Sequence, residues 1–125
     1  MAKIIRVYSW LIKSVQEPAV AFLKKYFNVK YVDMITEAGP VQYLADKQKS
    51  EITDSILKRV ELAILRHNTV GIAVIAHYDC LGNPAPEEIQ KQQLKEAAEF
   101  LKKHFPKERI ETFWIDANRQ VRTVD

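Results

Sequence analysis

The stretch Val70-Gly-Ile-Ala-Val-Ile-Ala-His-Tyr-Asp-Cys-Leu-Gly82 decides how the rest of this chain is read. Its opening run is small or β-branched and apolar, which suits a strand buried on both faces, the usual state of a central parallel strand. It ends in polar or reactive residues, His77, Tyr78, Asp79 and Cys80, and Gly82, Asn83 and Pro84 then break it. In an open α/β sheet, ligands bind outside the carboxyl ends of the strands. The only cysteine of the chain and one of its 3 histidines therefore fall where such a fold puts its chemistry.

Working outward, residues 3–8 read as a first strand, with Ile4, Ile5 and Val7 β-branched. Glu17-Pro18 looks like a helix start, with Pro18 at the first helical position, where a missing N–H costs nothing. Ala19, Phe22, Leu23, Tyr26 and Phe27 give that helix an apolar face, and Asn28 is its stop. A second strand spans 29–35, Gly39-Pro40 closes the loop after it, and residues 41–45 form a short helical turn. Ser50 is a candidate N-cap for a helix running to His67, with Ile56, Leu57, Val60, Ala63, Ile64 and His67 on one stripe. After the Val70 strand, the clearest helix covers 87–105, acidic at its start and basic at its end. A strand at 109–116 alternates between two faces, and residues 121–124 pair back as an edge strand.

Alternation of this kind predicts a single α/β domain over residues 1–125. It has a mainly parallel four- to five-stranded sheet with helices on both faces. Right-handed crossovers would bring the ends of the first three strands to one rim, which would hold Tyr8 to Trp10, Glu37 to Pro40 and His77 to Gly82.

Composition bounds the function. Hydrophobic residues at 47% and charged residues at 28% are ordinary for a soluble domain. A net charge of +3, with the charges interspersed, gives no argument for nucleic acid. No apolar run approaches the roughly 20 residues that span a bilayer, so no membrane partner is expected. One cysteine and no secretory-type leader fit a cytoplasmic protein.

His77-x-x-Cys80 is a candidate metal pair, since zinc accepts imidazole nitrogen and thiolate. Two ligands are too few, and Asp79, Asp33, Glu37 or a group from a second subunit could contribute. The competing readings are a buried, inert cysteine beside a hydrogen-bonded histidine, or a thiol sensor in which His77 raises the thiolate fraction of Cys80. His67 reads as a packed or capping residue, His104 is explained by the helix dipole, and Trp10 and Trp114 read as core or subunit contacts.

The stretch Val70 to Gly82 resembles the β-class carbonic anhydrases, in which a buried strand ends in His-x-Asp-Cys-Gly. The segment from Tyr31 to Pro40 is similar to that family's second strand and Ala-Gly loop, and the order of elements agrees over most of the chain. The resemblance implies that His77 and Cys80 are zinc ligands, that Asp79 is the catalytic candidate, and that Gly39, Gly82 and Ser9 line the cleft. It also implies a small anion such as bicarbonate as ligand and a homodimer, for which Trp10, Leu11 and Ile12 could supply the contact.

One departure is large. The family's first strand ends in Cys-x-Asp-x-Arg, whose cysteine is the third zinc ligand and whose Asp–Arg pair orients the attacking water. Here the stretch is Arg6-Val-Tyr-Ser-Trp-Leu-Ile-Lys13, without cysteine or aspartate. One alignment puts Ser9 at the cysteine and Lys13 at the arginine, with Leu11 for the aspartate; another puts Tyr8 at the cysteine and Trp10 at the aspartate. The expectation is a degenerate member that keeps the fold without efficient carbonate dehydratase activity. The alternatives are a zinc lyase with a rebuilt ligand set and a sensor using Cys80.

Overall fold

In the computed structural model, residues 2–9, 13–37, 40–46, 50–78 and 83–124 are described; of 2–9, 13–16, 36–37 and 68, only the backbone. The elements run β1 (Ala2–Ser9), α1 (Lys13–Tyr26), β2 (Tyr31–Glu37), α2 (Pro40–Ala45), α3 (Glu51–Arg66), β3 (Asn68–His77), α4 (Glu87–His104), β4 (Ile110–Ile115) and β5 (Val121–Thr123). The fold is mixed α/β with an open sheet in the order β2-β1-β3-β4-β5. β1 pairs in parallel with β2 and with β3, and β3 with β4. β5 returns antiparallel along β4, so the sheet is mixed.

β3 is the spine. Residues 71–77 are buried throughout, and they alternate between two cores. Ile72, Val74 and Ala76 join Ile35 and Trp114 beneath Ile56 and Val60 of α3 and Leu94, Ala97 and Leu101 of α4. Ala73 and Ile75 join Phe113 and Ile115 against Ala19, Leu23 and Phe27 of α1 on the opposite face. Each fully buried side chain of Leu, Ile or Phe size contributes about 2 kcal/mol of transfer free energy. That is why an uninterrupted apolar run belongs at the centre of the sheet.

The helix ends follow from single residues. Asn28 takes a positive φ of 54°. The Val29 N–H then bonds the Lys24 carbonyl at 3.0 Å, satisfying an otherwise orphaned C-terminal group. Ser50 caps α3, its Oγ accepting the Thr53 N–H at 3.1 Å. Pro18 departs from expectation. α1 starts at Lys13, so Pro18 lies inside the helix rather than at its first position. Its absent N–H removes only the bond to the Ser14 carbonyl, in the first turn, and nothing in residues 13–17 breaks the helix. The first-position role belongs to Pro40, which opens α2.

Candidate functional site

Strand register brings the carboxyl ends of three strands together. Ser9 pairs with Glu37, and Val7 with Val74, which sets Ser9 level with Ala76 and one residue short of His77. Adjacent strands lie about 4.8 Å apart, so the ends of β1, β2 and β3 form one rim. Asp79, Cys80, Gly82 and Gly39 lie outside the described residues, as do Trp10, Leu11 and Ile12. Ser9 is placed by its backbone alone.

His77 is the rim residue whose side chain is defined. It is 2% exposed, and strand alternation sets it on the α1 face. Its Nδ1 lies 2.8 Å from the Tyr78 carbonyl oxygen. A carbonyl can only accept, so Nδ1 carries the proton and donates it. In the neutral ring the lone pair is then on Nε2, which is sealed from bulk solvent. A metal-binding histidine has this arrangement, with one nitrogen fixed by a backbone carbonyl and the other presented as a base. The imidazole therefore fits a zinc ligand. The Tyr78 N–H donates to the Ile115 carbonyl at 2.9 Å, tying the strand end to β4, while the Tyr78 side chain is exposed.

The chain that leaves the rim is held by a polar clamp that the sequence reading missed. Gln90 of α4, 2% exposed, donates through Nε2 to the carbonyls of Ala85 at 2.9 Å and Asn83 at 3.2 Å. Asn83, also buried, donates through Nδ2 to Gln93 Oε1 at 2.7 Å. The signal was present: Gln90 stands on the stripe that continues as Leu94, Ala97 and Leu101, where a polar residue needs internal partners.

Asp33 does not belong to the rim. It pairs in register with Ile5, which pairs with Ile72, five residues before His77. At about 3.3 Å per residue that is roughly 16 Å along the strand, too far for a shared ion. Asp33 Oδ2 instead meets His67 Nδ1, which joins the end of α3 to β2. His67 is thus a helix C-cap, its N–H bonded to the Ala63 carbonyl, with its half-exposed ring paired to a carboxylate. His104 donates through Nδ1 to the Phe100 carbonyl at 3.1 Å within its own helix. Trp114 is core, one of the two roles expected for it. Among the described residues, no three His, Cys, Asp or Glu side chains gather as a metal site.

A charged cluster sits at the other end of the sheet. The Tyr26 hydroxyl donates to Glu111 Oε1 at 2.6 Å, and that bond holds its pKa above the usual phenol value. Arg109 pairs with Glu111 at 2.5 Å and lies over the Phe27 ring. These residues flank the start of β4, away from the rim, and their mutual pairing is structural. No helix among the described residues is long and apolar enough to cross a membrane.

Against known proteins, a family model described as "Putative carbonic anhydrase" matches residues 12–125. A search of curated proteins finds no match.

Proposed function

The chain belongs to the carbonic anhydrase family that this match defines, and on that premise we propose that it keeps a β-class fold around a degenerate zinc site. Carbonate dehydratase activity is lost or strongly reduced. The observation that carries this is the juxtaposition at the rim. β1 ends beside His77, and residues 6–13, Arg-Val-Tyr-Ser-Trp-Leu-Ile-Lys, supply neither thiolate nor carboxylate there. A serine hydroxyl or phenol at that place is a poor third ligand for zinc, which favours imidazole, thiolate and carboxylate.

His77 and Cys80 are the residues that would hold zinc. When bound, the metal would make a water nucleophilic near neutral pH. His77 has a defined part in this, because its Nδ1–H on the Tyr78 carbonyl aims and fixes the Nε2 lone pair. Asp79, two residues on, is the carboxylate assigned to orienting the reacting groups. The Asp–Arg pair that manages this in the β-class pattern has no counterpart in residues 6–13. Gly39, Gly82 and Ser9 line the cleft, whose ligand is a small anion such as bicarbonate. The proposal includes a cytoplasmic homodimer joined through Trp10, Leu11 and Ile12.

The test is metal content and carbon dioxide hydration on tag-free protein prepared with zinc present. The expected result is substoichiometric zinc and no hydration above buffer. Hydration at a rate typical of the class would sink the proposal. One zinc per chain, lost in His77→Ala together with activity, would favour a rebuilt ligand set instead.

A further inference from the structure

A second cleft of about 470 Å³ lies on the α4 side of the sheet, between the first half of α4 and the β4–β5 hairpin. Trp114 and Val124 contribute apolar surface, Lys91 and Lys95 come from α4, and Arg122 comes from β5. The volume falls within the roughly 300–1,000 Å³ of small-molecule sites. It far exceeds the roughly 30 Å³ that a single water takes up in the liquid, so an inorganic ion would leave most of it unfilled.

The charge arrangement is uneven. Three cations line the cleft against one carboxylate, Glu88. Lys91 and Lys95 are spaced i, i+4, where like charges repel. Lys91 is partly compensated by Glu87 at 2.7 Å. Arg122 is the cross-strand partner of Trp114, so its side chain shares that face. Asp116 holds Arg122 through Nε at 2.9 Å, a bond that does not use the outer guanidinium nitrogens. Trp114 is 2% exposed, and its Nε1–H finds no acceptor among the described residues. A buried donor without an acceptor is a standing penalty that a ligand oxygen would relieve.

We infer that this cleft binds a small organic oxyanion, a carboxylate or phosphate ester carrying an apolar group. The oxyanion sits between Lys95, Lys91 and Arg122. The apolar part lies against Trp114 and Val124, with a shift of the lining side chains giving an oxygen access to Nε1. The cleft lies on the opposite face of the sheet from His77: Trp114 pairs with Ala76, whose side chain faces the α4 core, whereas alternation puts His77 on the α1 face.

The indole N–H resonance of Trp114 reports on this directly in ¹⁵N-labelled full-length protein, with Trp10→Phe to assign the two indole signals. Phenyl phosphate and benzoate are the probes, titrated separately. Either should shift the Trp114 resonance saturably below about 10 mM, and the stronger of the two identifies the preferred oxyanion. Lys95→Ala and Arg122→Ala, each confirmed folded by its dispersed amide spectrum, should weaken binding about tenfold, as expected for a charge-assisted hydrogen bond. No saturable shift with either probe would overturn the proposal, and so would a shift that persists at full strength in both variants.

Discussion

His77 Nδ1 donates to the carbonyl oxygen of the very next residue, Tyr78, across 2.8 Å. The bond is to backbone, so it survives any change of the Tyr78 side chain and fixes the tautomer by the course of the chain alone. The prediction is that ¹⁵N–¹H correlation spectra of the His77 ring show the proton on Nδ1 and none on Nε2 in the metal-free protein. Tyr78→Ala should leave that pattern unchanged, since the side chain is exposed. A pyridine-like Nδ1 would mean that the ring presents the wrong nitrogen for a ligand fixed in this way.

Gln90 and Asn83 tie the exit of the rim to α4. Replacing Gln90 by Ala strands two acceptors, the buried Asn83 carbonyl and the part-buried Ala85 carbonyl. Each buried unsatisfied group costs about 1–3 kcal/mol, and some of that is recovered if water enters. Gln90→Ala should therefore lower unfolding free energy by about 2 kcal/mol, read as a lower urea midpoint at unchanged slope. The backbone amides of Asn83 and Ala85 should also exchange faster. Wild-type stability in Gln90→Ala would show that the clamp is redundant.

Much of the architecture is local chemistry and could be read from the chain. The apolar run before His77 suits a doubly buried strand, Asn28 tolerates the left-handed conformation that ends α1, and Ser50 precedes its helix as an acceptor. What the sequence hid depends on partners distant in the chain. Asp33 was open to a place at the rim until the pairing of β2 with β1 and β1 with β3 set it level with Ile72. His67 sat on an apolar stripe, yet its ring turns to that same carboxylate. Pro18 misled because the helix-start preference of proline is only a preference. A proline inside a helix forfeits one bond, and a core face holding Ala19 and Leu23 outweighs it. Periodicity put Gln90 on the buried stripe of α4, but its acceptors, the Asn83 and Ala85 carbonyls, depend on the path of the segment before the helix.

Ser50 and Thr53 join α3 to α2 as well as capping it. Thr53 Oγ1 lies 2.8 Å from Ser50 Oγ and donates to the Tyr43 carbonyl at 3.1 Å, and Thr53 is 4% exposed. Ser50→Ala should cost about 1 kcal/mol, the usual loss of an N-cap. Thr53→Val keeps the shape but removes the hydroxyl that donates to the Tyr43 carbonyl, and should cost about 1 kcal/mol. The double variant should fall short of the sum, because the two hydroxyls share one network. Additive losses would separate the cap from the α2 contact.

Asp116 organises the turn into β5. Its Oδ1 accepts the backbone N–H groups of Asn118 at 2.9 Å and Gln120 at 3.0 Å, and its Oδ2 accepts from Arg122 Nε at 2.9 Å. The Gln120 bond foremost, joined by Arg122 and the Asn118 bond, holds the carboxyl below its ordinary range, against desolvation, an opposing effect second only to the Gln120 bond. A folded-state value below the unfolded one means that the unfolded chain binds the proton more readily, so stability rises with pH across the interval between them. The contribution of Asp116 is complete above the unfolded carboxylate value of about 3.9. It is lost as pH falls through the lower folded value. Asp116→Asn should be less stable than wild type at neutral pH, and the gap between the two urea midpoints should close as pH drops below about 4. A gap that persists undiminished in acid would assign the role of Asp116 to shape and hydrogen bonding alone, without its charge.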